Sequence, residues 1–263
     1  MVNFQYKDKY NIDDYRTIMA LLRGEGGCPW DREQTHESIR NNLLEEAYEA
    51  ASAIDAGDVD NLREELGDLQ MQVLFHAQME EEKGGFTFDD ICDEACKKLI
   101  RRHPHVFGDV SASTSDEVLD TWDAVKRQEK QQKTASGAMA DVARALPALW
   151  RAEKIQKKAR KEGFDWPDWH GARDKITEEL QELDEAIASG EGVEEELGDL
   201  LASVVNLARL LKIDPEGALN GSSDRFVRRF SRMEELAGEK GVVLSQLSLD
   251  EQELLWQKAK AEE

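Results

Sequence analysis

The chain has 263 residues, with 34 basic against 56 acidic side chains and a formal net charge of −22. This excess of negative charge argues against binding to nucleic acid polymers and against docking on an anionic membrane, because both partners are negatively charged themselves. Since 40% of the residues are hydrophobic and recur at helical spacing, a packed core is expected rather than disorder.

The first residues of the chain and its cysteine content indicate the cellular compartment in which we expect the protein. Residues 1–8 lack the apolar stretch of a signal peptide, and no apolar run reaches the roughly 20 residues of a membrane span. Cys28, Cys92 and Cys96 make an odd count, which is typical of a reduced protein. We therefore expect a cytoplasmic protein with neither a membrane nor a nucleic acid polymer as its partner.

Five sequence elements occur twice in the same order, which indicates a duplicated domain. The pairs are residues 27–31 and 163–168, 45–49 and 178–182, 64–69 and 195–200, 98–102 and 225–229, and 122–126 and 256–260. A polar stretch separates the two copies. We expect an N-terminal domain at residues 1–133, a linker at 134–142 and a C-terminal domain at 143–263.

Both halves read as helix. Apolar residues recur at helical spacing, and glycine-containing turns at residues 57–58 and 189–192 separate the helices. The two clearest apolar stripes are Leu43, Leu44, Ala47, Ala51 and Ile54, and Leu197, Leu200, Leu201, Val204, Val205, Ala208 and Leu211. No sustained alternation of apolar and polar residues suggests strands. The prediction is an all-α fold of two tandem repeats, each a small antiparallel bundle of four or five helices.

The acidic motifs of the second half predict a metal site. Glu178, Glu179 and Glu182 span about a 100° arc of one helix, and Glu196 and Asp199 lie about 60° apart on the next. If the turn between these helices makes them antiparallel, the carboxylates converge and repel each other unless a cation neutralises them. Oxygen ligands favour Mg²⁺, or Mn²⁺, over zinc.

The alternative to a metal site is a solvated charged face. With 56 acidic residues in the chain, a lone Glu-Glu-x-x-Glu pattern is expected by chance. The metal hypothesis therefore rests on the pairing of the two motifs and on their repetition. Gly67 and Gly198 lie inside helices, where glycine costs about 1 kcal/mol relative to alanine, and this cost predicts a close backbone approach near the metal site.

Basic and aromatic residues follow the acidic motifs at helical spacing. Arg225 and Arg229 are four residues apart, as are Trp256 and Lys260, and the first half repeats both pairs with Lys98, Arg102, Trp122 and Lys126. In an acidic protein, cations opposite a carboxylate-bound metal indicate phosphate ligands, and a Trp can stack a base or ribose. The alternative is intrahelical salt bridges and a core Trp.

These residues, in this order, resemble the MazG family of nucleoside triphosphate pyrophosphohydrolases, and the likeness to its two-domain bacterial form covers nearly the whole chain. The family belongs to the all-α NTP pyrophosphatase group. The resemblance implies a Mg²⁺-dependent homodimer that converts NTPs or dNTPs and water to the monophosphate and pyrophosphate, with broad specificity in nucleotide-pool housecleaning. The implied metal ligands are Glu179, Glu182, Glu196 and Asp199, with Glu46, Glu49, Glu65 and Asp68 in the first half. The implied nucleotide contacts are Lys175, Arg225, Arg229, Trp256 and Lys260.

Several points stay open from the sequence. Glu178 is one candidate for the general base, but its spacing does not separate it from the ligands. The resemblance implies that the C-terminal domain is the main catalytic unit and that the N-terminal domain is regulatory or weakly active. The residues themselves do not decide between the halves, because both keep all four carboxylates. Pro104 should perturb its helix in the first half. A narrower hydrolase, acting on dUTP, an oxidised dNTP or a guanosine alarmone, is the second hypothesis. A non-catalytic nucleotide-sensing helical module is the third.

Overall fold

The computed structural model describes residues 4–115 and 134–263, together with residues 117, 118, 121, 122, 125 and 129. All regular secondary structure within these residues is helical, and they contain no strand. The all-α prediction is therefore confirmed. None of the described helices carries a stretch that is long and apolar enough to cross a membrane.

The chain divides into two compact units, residues 1–126 and 127–263. The helices of the first unit are α1 (Ile12–Arg23), α2 (Pro29–Glu33), α3 (Arg40–Ala56), α4 (Val59–Glu82), α5 (Phe88–Arg102) and α6 (Pro104–Phe107). The helices of the second are α7 (Ala135–Ala140), α8 (Ala148–Lys161), α9 (Trp169–Ser189), α10 (Val193–Leu210), α11 (Pro215–Glu239) and α12 (Leu249–Ala261), with a 3₁₀ turn at Leu244–Gln246.

The duplication is visible in the helix order. Among the helices just given, those longer than ten residues are α1, α3, α4 and α5 in the first unit and α8, α9, α10, α11 and α12 in the second. The shorter helices come in addition to the four or five predicted for each half. The expected linker, residues 134–142, contains the short helix α7, which packs on α8. The domain boundaries drawn from the sequence stay predictions.

One antiparallel helix pair in each unit carries the acidic motifs, α3 with α4 and α9 with α10, and the two helices of each pair pack against each other. Gly57 ends α3 at φ 67°, and Gly190 ends α9 at φ 77°, in the left-handed conformation that glycine adopts without strain. The Asp58 side chain then caps α4 by accepting a hydrogen bond from the Asn61 amide at 3.0 Å. Both predicted turns are confirmed, and they bring the acidic motifs of consecutive helices side by side.

Pro104 interrupts its helix as predicted. Helix α5 ends at Arg102, and Pro104 is the first residue of the short helix α6. Proline lacks an amide hydrogen and is therefore tolerated at the first turn of a helix but not in its interior.

Each unit has its own hydrophobic core, which supports the two-bundle architecture. The first core contains Met19, Ile39, Leu74, Phe75 and Met79. The second contains Met233, Leu236, Ala237, Leu244, Leu255 and Ala259, with Trp256 packed against it.

The apolar stripes identified in the sequence lie on α3 and α10, but much of both stripes is exposed in the single chain. On α10, Leu197, Leu201 and Val204 remain 46%, 50% and 45% exposed, whereas Val205 is buried. On α3, Ile54 is exposed, and the buried residues are Ala50 and Ala53. Helical spacing thus predicted the helices correctly without separating the core-facing positions from an exposed apolar face.

Candidate functional site

The α9–α10 pair brings three of the predicted carboxylates together. Glu179, Glu196 and Asp199 each offer one oxygen within 4.8 Å of the others. Glu179 is buried at 5% exposure, while Asp199 is open to solvent. Three oxygen ligands from two helices, one of them buried, form a site that a hard divalent cation suits.

Glu182 lies beside this group but not within the three-residue cluster. Burial raises the pKa of Glu182, and the neighbouring charges of Glu179 and Glu196 raise it further, although Lys175 opposes them. Glu182 is therefore close enough to interact electrostatically with the cluster, and its carboxylate would also attract a cation bound at the cluster.

Lys175 is placed at the carboxylates themselves. Its Nζ lies 2.7 Å from Glu178 Oε1 and 2.7 Å from Glu179 Oε1, and 4.0 Å from Glu182 Oε2. The hydrogen bonds to Glu178 and Glu179 raise the pKa of Lys175 well above its ordinary value. This lysine, which is predicted to contact the nucleotide, thus bridges two glutamates of the acidic motif on α9 and offsets part of their negative charge.

The α3–α4 pair repeats the arrangement in the first unit. Glu46, Glu49 and Glu65 bring one oxygen each within 4.8 Å of the others. Asp68 is outside this cluster, yet its charge adds to the burial that raises the pKa of Glu46. Burial and the charge of Glu49 likewise raise the pKa of Glu65. Both units therefore concentrate carboxylates that repel each other.

The two helical glycines do not mark a close backbone approach within the chain, so that prediction is wrong. A Cβ placed on Gly67 or Gly198 would meet no atom of the described residues within 4 Å, apart from its chain neighbours and the backbone of its own helix. The carbonyl of Gly67 instead accepts a hydrogen bond from the Tyr15 hydroxyl at 3.2 Å. Burial and the charge of Asp68 raise the pKa of Tyr15, which places this tyrosine beside the acidic motif of α4.

The basic and aromatic residues of α11 and α12 form a second group in the same unit. The Arg229 guanidinium lies 5.7 Å from the centre of the Trp256 ring, and its Nη2 is 2.6 Å from Glu263 Oε2. Arg225 and Lys260 are exposed. Among residues 134–263, no ion pair joins Arg225, Arg229 or Lys260 to the cluster carboxylates.

The first unit repeats the arginine–tryptophan contact. The Arg102 guanidinium lies 5.2 Å from the centre of the Trp122 ring, at the positions that the sequence repeat aligns with Arg229 and Trp256. Lys126, the counterpart of Lys260, lies outside the described residues.

The sequence reasoning missed a buried ion pair between α10 and the segment that precedes α9. Arg209 is buried on α10 and donates from Nη1 to Asp165 Oδ2 at 3.1 Å and from Nη2 to Asp165 Oδ1. Burial of Asp165 opposes its ionisation, but the contacts with Arg209 outweigh it and lower the pKa of Asp165. The only signal in the sequence was a charged residue next to the apolar stripe of α10.

Comparison with known proteins agrees with this geometry. The model of the MazG nucleotide pyrophosphohydrolase domain matches residues 34–107 and 170–233, which contain both acidic clusters but neither Trp256 nor Lys260. The chain is 47% identical over 249 residues to the nucleoside triphosphate pyrophosphohydrolase/pyrophosphatase MazG of Thermotoga maritima, covering 95% of each chain. It is 46% identical over 257 residues to the nucleoside triphosphate pyrophosphohydrolase of Escherichia coli K12, covering 96% of this chain and 98% of the relative.

A third relative is longer. The chain is 44% identical over 257 residues to the uncharacterized protein YabN of Bacillus subtilis, which covers 97% of this chain but 52% of YabN.

Proposed function

Because the chain belongs to the MazG nucleotide pyrophosphohydrolase family, we propose that it hydrolyses nucleoside triphosphates to the monophosphate and pyrophosphate. The reaction cleaves the anhydride bond between the α- and β-phosphates. The main support within the molecule is the convergence of Glu179, Glu196 and Asp199 from two helices on one point. The C-terminal unit is the proposed catalytic unit, and the N-terminal unit is weakly active or regulatory.

A divalent cation, Mg²⁺ or Mn²⁺, is the proposed cofactor, and the chemistry of the donors fits it. All the clustered donors are carboxylate oxygens, with Glu182 adjacent, and the raised pKa of Glu182 reflects burial and charge repulsion that a cation would relieve. When bound, such an ion supplies positive charge that stabilises the transferring phosphoryl group and makes water a stronger nucleophile. Glu179, Glu182, Glu196 and Asp199 would hold it, with Glu46, Glu49, Glu65 and Asp68 as the equivalent set in the first unit.

The residues of the chain have distinct proposed roles when water attacks the α-phosphorus and the bond between the α- and β-phosphates breaks. Glu178 is the proposed general base, because it is exposed beside the cluster and can accept the proton of the attacking water. Lys175 forms ion pairs with Glu178 and Glu179, so it orients these two carboxylates and offsets negative charge at the site as the phosphates of the substrate approach. Positioning and electrostatics of this kind supply most of the catalysis in phosphoryl transfer.

The group on α11 and α12 is proposed to hold the nucleotide. Arg225, Arg229 and Lys260 offer positive charge to the triphosphate, and the Trp256 ring offers a flat apolar face to the base. Stacking on an indole discriminates weakly between bases, because every base has a π-face. We therefore propose broad specificity in nucleotide-pool housecleaning rather than a single substrate.

The exposed apolar stripe of α10 supports a homodimer. Leu197, Leu201 and Val204 lie at i, i+4 and i+7 and remain about half exposed. A continuous apolar stripe of this kind is typical of a helix that packs against another helix. We also propose a cytoplasmic location, which suits three cysteines that are all free thiols.

Product analysis tests the proposal. The full chain is incubated with Mg²⁺ and a panel of canonical NTPs and dNTPs, dUTP, an oxidised dNTP and a guanosine alarmone, and products are separated by ion-exchange chromatography. The expected result is monophosphate and pyrophosphate in equal amounts from several substrates. Turnover of one substrate alone would favour the narrow hydrolase, and binding without turnover would favour the sensor. Release of a nucleoside diphosphate would contradict all three.

A further inference from the structure

The second unit contains a basic cleft that the proposed catalytic site does not use. We define the basic cleft by five of its lining residues, Lys154, Lys157, Arg160, Arg209 and Lys212; Trp150 also lines it. The cleft lies between α8, the end of α10 and the start of α11, is open to solvent and has a volume of about 690 Å³. Arg209 is 13 residues beyond Glu196 on α10, which separates the cleft from the carboxylate cluster by about 20 Å along the helix axis.

The cleft concentrates positive charge in a strongly acidic chain. Helix α8 carries six basic residues and one acidic residue, although the chain as a whole has a net charge of −22. Only two of the residues that line the cleft, Glu153 and Asp214, are acidic. A positively charged cleft on a protein of negative net charge indicates an anionic ligand.

The acidic residues around the cleft are already paired. Glu153 Oε1 lies 2.7 Å from Lys157 Nζ, and Asp165 binds Arg209 and, at 3.5 Å, Arg160. Asp214 Oδ1 accepts a hydrogen bond from the Trp150 indole at 3.0 Å, and its carboxylate also caps α11. Lys154 and Lys212 form no ion pair with any residue in the described part of the chain, so the cleft keeps a surplus of positive charge.

The backbone at Lys212 supports a role for its side chain. Lys212 follows α10 in the left-handed conformation at φ 59°, and the Ile213 amide closes the turn onto the Ala208 carbonyl at 2.9 Å. Helices α3 and α9 place glycine in the left-handed position, at Gly57 and Gly190. A lysine there is strained relative to glycine, and this lysine lines the cleft.

The first unit provides an internal comparison. Helix α1 precedes the first tryptophan element as α8 precedes the second, and a cleft between α1 and α4 is lined by Asp13, Arg16, Glu81 and Glu82 among others. That cleft is acidic. The positive charge is therefore a property of the second unit alone and not a consequence of the shared fold.

From these observations we propose that the basic cleft binds a small anion with a phosphate chain, through Lys154, Lys212 and Arg160. The ligand is either an inorganic polyphosphate chain or a nucleotide whose base contacts Trp150. An open cleft of several hundred Å³ has room for a small molecule, and the net charge of the whole chain disfavours a long polyanion.

Titration calorimetry of the full chain with tripolyphosphate tests the proposal. EDTA is present throughout, so that binding through a divalent cation at the carboxylates does not contribute. The wild type is expected to bind saturably, and the double variant Lys154→Gln/Lys212→Gln to bind about tenfold more weakly or worse. The control Lys9→Gln/Lys240→Gln makes the same change in net charge at exposed positions outside the cleft and is expected to keep the wild-type affinity.

Further titrations separate the ligand sources and the two sites. Tighter binding of ATP than of tripolyphosphate would identify a nucleotide, and equal or weaker binding would identify the inorganic chain. Glu196→Gln is expected to keep the wild-type affinity for tripolyphosphate, because the cleft does not use that carboxylate. The proposal is overturned if the wild type shows no saturable binding, if both double variants weaken equally, or if single-stranded RNA binds and tripolyphosphate does not.

Discussion

The Arg229 guanidinium lies over the Trp256 ring at 5.7 Å from its centre, and the same arginine pairs with Glu263 through Nη2 at 2.6 Å. The contact joins α11 to α12 at the edge of the second core. It places a positive charge next to a flat apolar surface, the combination that a nucleotide requires from its phosphate and base sites.

Replacing Trp256 with leucine should weaken nucleotide binding. Leucine keeps the apolar contact with the core but removes the stacking surface, so KM should rise by about tenfold with little change in kcat. Steady-state kinetics of pyrophosphate release measures both constants. Trp122→Leu is the matched control, because Trp122 makes the same contact with Arg102 in the first unit. An equal rise in KM in both variants would contradict the assignment to the second unit.

Divalent cations should stabilise the protein, and more so as the pH rises. Burial and neighbouring carboxylates raise the pKa values of Glu46, Glu65 and Glu182 above the ordinary value of about 4.3. The ionisation of these groups therefore lowers the free energy of unfolding of the metal-free protein as the pH rises from the ordinary pKa through the raised pKa values. A cation removes this repulsion but competes with protons below that window.

The measurement is the thermal unfolding midpoint with Mg²⁺ and with EDTA, at about pH 5 and about pH 7.5. The gain from Mg²⁺ should be larger at the higher pH. A gain that is absent, or that is larger at the lower pH, would argue against carboxylate ligands.

Asp165→Asn should destabilise the second unit. The substitution leaves Arg209 buried without its carboxylate partner, and breaking a buried pair in this way costs about 3 kcal/mol. Denaturant unfolding gives the free energy. Asp174→Asn, at an exposed site beside Arg173, is the control and should change stability by less than about 0.5 kcal/mol. Equal small effects from the two substitutions would show that the Arg209 pair is not a stabilising anchor.

Leu201→Glu should produce a monomer if the apolar stripe of α10 is a dimer interface. A charged side chain in the middle of that stripe would be buried without a partner on association. Sedimentation analysis should find the wild type at about twice the chain mass of 29.8 kDa and the variant at the chain mass. Leu254→Glu, at a site on α12 that is 72% exposed, should remain dimeric. A wild type that sediments as a monomer would refute the homodimer.

Local sequence patterns predicted the helices and the turns well. Gly57, Gly190 and Pro104 act within a few residues of the chain, so their effects on helix ends follow from their own backbone preferences. The carboxylate clusters were also predictable, because a short turn forces consecutive helices to run antiparallel and sets two spaced motifs side by side.

The features that the sequence did not reveal depend on contacts between distant residues. Asp165 and Arg209 are 44 positions apart, and the open space around Gly67 and Gly198 depends on which helices pack nearby. The nucleotide contact that the resemblance implies for Lys175 stays a prediction, and the structure adds its ion pairs with Glu178 and Glu179, one turn away on its own helix.

The most direct test of the proposed catalytic centre is pyrophosphate and monophosphate release by Glu196→Gln. Removing one cluster carboxylate should lower turnover by about 100-fold or more while the protein stays folded. Glu195→Gln, at an exposed neighbouring position, should keep wild-type turnover, and Glu65→Gln in the first unit should retain most of it. Wild-type turnover in folded Glu196→Gln would contradict the assignment of catalysis to the cluster of Glu179, Glu196 and Asp199.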